Sequence, residues 1–141
     1  MLQLGQRVRI GDEPNYGYVY FDSDDIGTED EINGIRKVGD NCYAYQLRGE
    51  DEDCWWLEEE LYDYEDVNIH LNGTPIYSID DMVTERDEPQ TIKTITAVVT
   101  YYNRNQTEFV YELDDEGAYV DECELTLYCK NGADAPNYTL F

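Results

Sequence analysis

Tyr45-x-Leu47, Glu50-Asp51-Glu52-Asp53, Trp55-Trp56 and Glu58-Glu59-Glu60-Leu61-Tyr62-Asp63-Tyr64 follow one another in the first half of the chain. The same order returns in the second half. There it reads Tyr111-x-Leu113, Asp114-Asp115-Glu116, Tyr119-Val120 and Glu122-Cys123-Glu124-Leu125-Thr126-Leu127-Tyr128. A pattern of this kind, returning once, means two copies of one supersecondary unit. Working outward, Ile32-x-x-Ile35 matches Ile92-x-x-Ile95, and the opening stretch Gly5 to Ile10 matches Gly73 to Ile79. The halves differ in loop length. The first has a long opening loop over residues 11–31, and the second a longer hairpin over residues 99–107.

The elements within each copy are strands. Cys42-Tyr43-Ala44-Tyr45-Gln46-Leu47 and Glu108-Phe109-Val110-Tyr111-Glu112-Leu113 alternate with period two and are rich in β-formers. Gln6 to Ile10 and Thr94 to Tyr102 read the same way. Turn residues punctuate them at Gly39-Asp40-Asn41, Asn72-Gly73, Asn103-Arg104-Asn105-Gln106 and Glu116-Gly117. The fold class expected is all-β.

Each copy reads as strand, long loop, strand, hairpin, strand, acidic turn, strand, short turn and strand. That order resembles a small SH3-like barrel. The run from Trp56 to Glu60-Leu61 is also similar to the end of many bacterial and phage SH3-like modules. The resemblance implies two related SH3-like barrels in tandem, over 1–71 and 72–130, with 131–141 as a C-terminal tail. The boundary expected is His70-Leu71-Asn72-Gly73-Thr74-Pro75, where a turn dipeptide precedes a proline able to start a strand. The last residues, Tyr138 to Phe141, either dock as a short strand or hang free.

Composition limits the function. The 141 residues include 33 Asp plus Glu against 9 Lys plus Arg, a net charge of -24. Proteins that bind nucleic-acid phosphates or anionic membranes need basic patches, so both partners are excluded as direct ligands. A partner with a basic surface is favoured. With 14 Tyr, 3 Phe and 2 Trp the chain has the aromatics of a folded core. No run of 18 apolar residues and no signal-peptide pattern occurs, so the expected compartment is the cytoplasm. There Cys42, Cys54, Cys123 and Cys129 are expected as free thiols.

Catalytic and metal chemistry find little support. His70 is the sole histidine, between Ile69 and Leu71, and reads as a packed or surface residue. There is no CxxC pair and no glycine-rich phosphate loop. Asp22-Ser23-Asp24-Asp25 and Glu50-Asp51-Glu52-Asp53 offer oxygen ligands for calcium, but lack the spacing and glycine of an EF-hand. They read as solvated turns. No enzyme activity, cofactor or metal is expected.

The charge itself is the functional signal. It is spread over both halves: 19 acids against 5 bases in residues 1–71, and 14 against 4 in 72–141. A globule of this length has a radius of gyration of ~14 Å. Its net charge per unit length approaches that of duplex DNA, which carries one charge per ~1.7 Å. A β framework would hold the carboxylates in rows. The rows expected at the partner interface are Glu50, Asp51, Glu52 and Asp53, Glu58, Glu59 and Glu60, Asp114, Asp115 and Glu116, and Asp121, Glu122 and Glu124. Trp55 and Tyr18 are the expected aromatic anchors. Neighbours in a strand face opposite ways, so one of Trp55 and Trp56 enters the core and one lies on the surface. Cover of both by the second domain is the alternative. Tyr16-Gly17-Tyr18-Val19-Tyr20-Phe21 lies in the loop that often lines a ligand groove in SH3-like folds; a strand extension is the other reading.

Small size and extreme acidity resemble phage-encoded DNA-mimic inhibitors of bacterial defence, of anti-CRISPR and anti-restriction type. The resemblance implies a non-catalytic inhibitor that occupies the nucleic-acid channel of a basic protein, foremost a Cas9-type nuclease with its PAM-reading arginines. The other class is an SH3-like adaptor that binds a protein or peptide through aromatic residues, its charge serving solubility or salt tolerance.

Overall fold

The computed structural model describes residues 1–14, 21–62, 74–103 and 106–130. Among these, ten strands and three single-turn 3₁₀ segments form an all-β protein. Every strand pairing given in register is antiparallel, and the strands join in one open sheet. The chain divides into two units. The first comprises Met1–Gly73 with Val99–Glu108, the second Thr74–Val98 with Phe109–Phe141.

The first unit contains β1 (Arg7–Ile10), β2 (Glu29–Gly39), β3 (Cys42–Leu47), β4 (Trp56–Leu57) and β5 (Leu61–Tyr62). Their order is β5-β1-β2-β3-β4. β1 shows why: Arg7 and Arg9 stay half-exposed while Val8 and Ile10 are buried, the period-two signature of a strand with one face on a core. That core holds Val8, Ile10, Ile32, Ala44, Tyr45, Leu47, Trp56 and Leu61. The 3₁₀ turn Glu58–Glu60 leads into β5. The loop between β1 and β2 carries a second such turn, Ser23–Asp25, capped by the Asp22 side chain. Residues 99–103 run beside β2, where the Thr100 hydroxyl donates to the Asn33 carbonyl at 3.1 Å. Gly34 permits this approach, because a Cβ there would lie 3.1 Å from a Val99 methyl and 3.0 Å from the Gln46 Cβ.

The second unit repeats the pattern with β6 (Met82–Glu85), β7 (Glu88–Asn103) up to Val98, β8 (Gln106–Leu113) from Phe109, β9 (Tyr119–Asp121) and β10 (Leu125–Cys129). The order is β10-β6-β7-β8-β9. The 3₁₀ turn Glu122–Glu124 precedes the last strand, as Glu58–Glu60 does in the first unit. Val83, Ile95, Ala97, Tyr111 and Leu113 form the core.

Backbone hydrogen bonds correct the register of the repeat. Gly5 donates to Ile32 at 2.7 Å and Ile32 to Gln6 at 2.9 Å; Asp80 donates to Ile95 at 3.0 Å and Ile95 to Asp81 at 2.9 Å. Residues 5–10 therefore correspond to 80–85, not to 73–79, and Ile32 corresponds to Ile95, not to Ile92. Ile95 is fully buried, whereas Ile92 is 40% exposed. The slip of three arises because isoleucine recurs at that spacing along β7, so hydrophobic letters alone fit either register. Downstream pairs hold: Tyr45 meets Trp56 across β3 and β4, and Tyr111 meets Val120 across β8 and β9. β1 ends at Ile10 and β2 begins at Glu29, with residues 15–20, and so most of the Tyr16–Phe21 stretch, outside the described residues; β6 and β7 are joined by a two-residue turn at 86–87. His70, Tyr18, the expected boundary at 71–72 and the tail 131–141 lie outside the described residues.

Candidate functional site

The turn between β3 and β4 carries four consecutive acids, Glu50, Asp51, Glu52 and Asp53. Its backbone is pinned by Glu50 N–H to the Leu47 carbonyl (3.2 Å) and Cys54 N–H to the Asp51 carbonyl (3.0 Å). The Gln46 amide donates to the Glu52 carbonyl at 2.7 Å, and Asp51 accepts from the Asp53 amide at 2.9 Å. Fully buried Cys54 anchors the turn from below. Asp51, Glu52 and Asp53 are thus exposed and Glu50 half-buried. They line a groove of about 710 Å³ whose other wall includes Asn33, Thr100 and Tyr101. Tyr101 is 46% exposed. The Asn33 Oδ1 is buried and has no hydrogen-bond partner.

Electrostatics at this groove are unbalanced. The Glu50 carboxyl is pushed up from 4.5 to about 7, first by burial, then by a hydrogen bond with Asp25, then by the charges of Asp25, Asp30 and Asp22. Burial also raises Asp30, against the hydrogen bonds it accepts from the Glu31 and Gly49 amides.

The other expected rows fare differently. Glu58 and Glu59 are exposed and line a second concavity of about 850 Å³ with Met1, Cys42 and Tyr43. Glu60 is buried, and its Oε1 accepts from the Leu57 amide at 2.7 Å, so it serves the 3₁₀ turn instead of a partner. Trp55 is not a surface anchor in the first unit: it is 3% exposed, under the Arg36 guanidinium 4.6 Å from its ring centroid. Alternation does turn Trp56 inward, edge-on to Phe21, but the long Arg36 stem covers the opposite face. In the second unit Asp114, Asp115, Asp121 and Glu124 are exposed. Asp114 and Asp115 make the turn at positive φ, 51° and 57°. Glu116 is paired with Lys93 at 3.1 Å. Glu122 faces inward, accepting from the Tyr111 hydroxyl and, at 3.1 Å, from the Ile76 amide. Burial and that contact hold the Tyr111 phenol above its ordinary range.

Among the described residues, several bases are also spent internally. Arg9 pairs with Glu29 at 2.8 Å, Arg48 with Glu31 at 3.3 Å, Lys93 with Glu85 at 3.1 Å, and Lys130 with fully buried Asp81 at 3.1 Å. None of the four cysteines is in a disulfide, and Cys42 and Cys123 are exposed. Among the described residues, no group of three or more His, Cys, Asp or Glu is placed to hold a metal ion, and no helix is long and apolar enough to cross a membrane.

Asn33 and Tyr101 as groove residues, and Asp30 as a neighbour of the turn, carry no mark in the sequence. Asp30 reaches the turn only through strand pairing, and Tyr101 comes from β7, 48 residues beyond Asp53 in sequence; no local signal marks either. No family model matches the chain, nor does any curated protein or solved structure.

Proposed function

We propose that the protein is a non-catalytic inhibitor that acts by acidic mimicry of DNA on two tandem SH3-like barrels. The strand order of each unit, with its 3₁₀ turn before the last strand, supports the barrel reading. One observation carries the mimicry. Arg9, Arg48, Lys93 and Lys130 are tied to the protein's own carboxylates, while Asp51, Glu52, Asp53, Glu58, Glu59, Asp114, Asp115, Asp121 and Glu124 face solvent. A surplus of oriented carboxylates attracts a basic channel and repels nucleic acid. The target favoured by this chemistry is a nucleic-acid-binding defence protein, foremost a Cas9-type nuclease.

The test is competition. Purified protein is titrated against a Cas9–guide complex and its PAM-bearing duplex at low and high salt. Displacement of DNA that weakens steeply with salt is expected. Failure to bind any DNA-handling protein of the host sinks the reading. Tight capture of a partner that survives high salt favours an adaptor instead.

A further inference from the structure

The two units close the same opening turn by different chemistry. Just before β1, the Gln6 amide donates to the Gln3 carbonyl at 3.1 Å, and the Gln3 amide donates back to Gln6 Oε1 at 2.9 Å. Just before β6, the Asp81 amide donates to the Ser78 carbonyl at 3.0 Å, and the Ser78 amide donates back to Asp81 Oδ2 at 2.8 Å. Gln6 and Asp81 are matched residues, since the carbonyl of each accepts from the amide of a buried isoleucine, Ile32 or Ile95, at 2.9 Å. The first unit closes its turn with a neutral amide. The second closes it with a carboxylate, and Asp81 is fully buried.

A buried carboxylate is costly without an opposite charge. Lys130, the residue after β10, supplies one. Its Nζ lies 3.1 Å from Asp81 Oδ2 and donates to the Ile76 carbonyl at 3.4 Å. The pair is lopsided: the Asp81 side chain has no exposure, whereas 49% of the Lys130 side chain is exposed. It also sits where the ladder is irregular. β10 ends the strand order of the second unit and, among the described residues, pairs with β6 alone. The register shifts between Leu127 and Cys129, and beyond the shift Cys129 meets Met82. Lys130 and Asp81 are the next residues of those two chain segments, so their ion pair fastens the ladder past its irregularity.

We propose that Lys130 is a charge-operated latch for the second unit: its ammonium holds the end of β10 against the opening turn, and this edge opens locally when the charge is removed. The exposed half of the pair takes the change, and the buried half carries the consequence. With Lys130 neutral, Asp81 keeps a carboxylate where water does not reach and loses this counter-charge. The matched turn of the first unit does not respond in this way, because Gln6 satisfies the Gln3 amide without charge. The latch belongs to the second unit's own fold and is independent of the partner that the acidic surface meets.

Native-state hydrogen exchange of the full chain, read amide by amide by NMR, tests the latch. Lys130→Met keeps an apolar stem and removes the charge. It should speed exchange at β6 and β10 by roughly tenfold to a hundredfold and leave β1, β2 and β3 at wild-type rates. Lys130→Arg keeps the charge and should stay close to wild type. Asp81→Asn keeps an oxygen for the Ser78 amide, as Gln6 does for Gln3, and removes the need for a counter-charge. Adding Lys130→Met to Asp81→Asn should therefore change exchange by less than about twofold. Unchanged exchange at β10 in Lys130→Met, an equal rise in both units, or the same rise with and without Asp81→Asn would overturn the latch. If Lys130→Met does not fold, the double variant decides: a folded double variant supports the latch, and an unfolded one overturns it.

Discussion

The two units build one topology from different chemistry. At matched positions the first has Ile10, Trp56 and Leu57, while the second has Glu85, Val120 and Asp121. Ile10 and Trp56 are fully buried, whereas Glu85, Val120 and Asp121 are not. The second unit compensates with polar contacts. Tyr77 donates its hydroxyl to the Leu125 carbonyl at 3.0 Å and packs edge-on against Tyr111, at 5.4 Å between ring centroids. The Tyr77 amide in turn donates to the Tyr111 hydroxyl at 3.3 Å. Ion pairs of Lys93 and Lys130 complete the set. Apolar burial holds the first unit, and satisfied polar groups replace part of it in the second. The difference extends to charge: Asp30 lies opposite Val8 in the first unit, where Lys93 lies opposite Val83 in the second.

The largest expected effect tests the apolar side of this contrast. Trp56→Ala should cost ~3–5 kcal/mol of stability, since it removes a fully buried indole. Val120→Ala at the matched position should cost ~1 kcal/mol. Urea denaturation followed by far-ultraviolet circular dichroism measures both, and equal losses would break the contrast. Next comes the polar side. Tyr111→Phe removes a hydroxyl that joins the Tyr77 amide to Glu122, and should cost ~1–3 kcal/mol because both partners remain in place. A neutral result would show that the second unit does not depend on that network. The smallest effect concerns the matched backbone. Gly5 at φ 81° and Asp80 at φ 75° share the left-handed conformation before β1 and β6. Gly5→Ala should cost ~1–2 kcal/mol, because a Cβ is disfavoured there. A stabilised variant would mean that the first unit can relax this turn while the second keeps it.

Much of this framework was legible in the letters. Cys42 to Leu47 and Glu108 to Leu113 read as strands because residues of opposite character alternate, and they are strands. The acidic turns at 50–53 and 114–116 were found because turn-forming residues interrupt those runs. The aromatic residues were harder. Trp55 reads as an exposed anchor when only its own strand is considered, and it is buried because Arg36, on another strand, lies over it. Glu60 and Glu122 look equivalent to their exposed neighbours in sequence. One closes a 3₁₀ turn on the Leu57 amide and the other meets Tyr111 and Ile76, partners that no spacing rule marks.

The sequence by itself determined that the protein is all-β, that its pattern occurs twice, where the turns fall and that its surface is strongly acidic. These follow from alternation, turn chemistry and composition, which are local or additive properties of the chain. Only the tertiary structure decided the true register of the repeat, because a three-residue hydrophobic spacing fits two alignments and long-range backbone hydrogen bonds select one. It alone decided which carboxylates are spent internally and which face solvent. Burial and ion pairing depend on residues brought together from distant strands, and Asp30 beside Glu50, against Lys93 beside Glu116, exists only once those strands are paired.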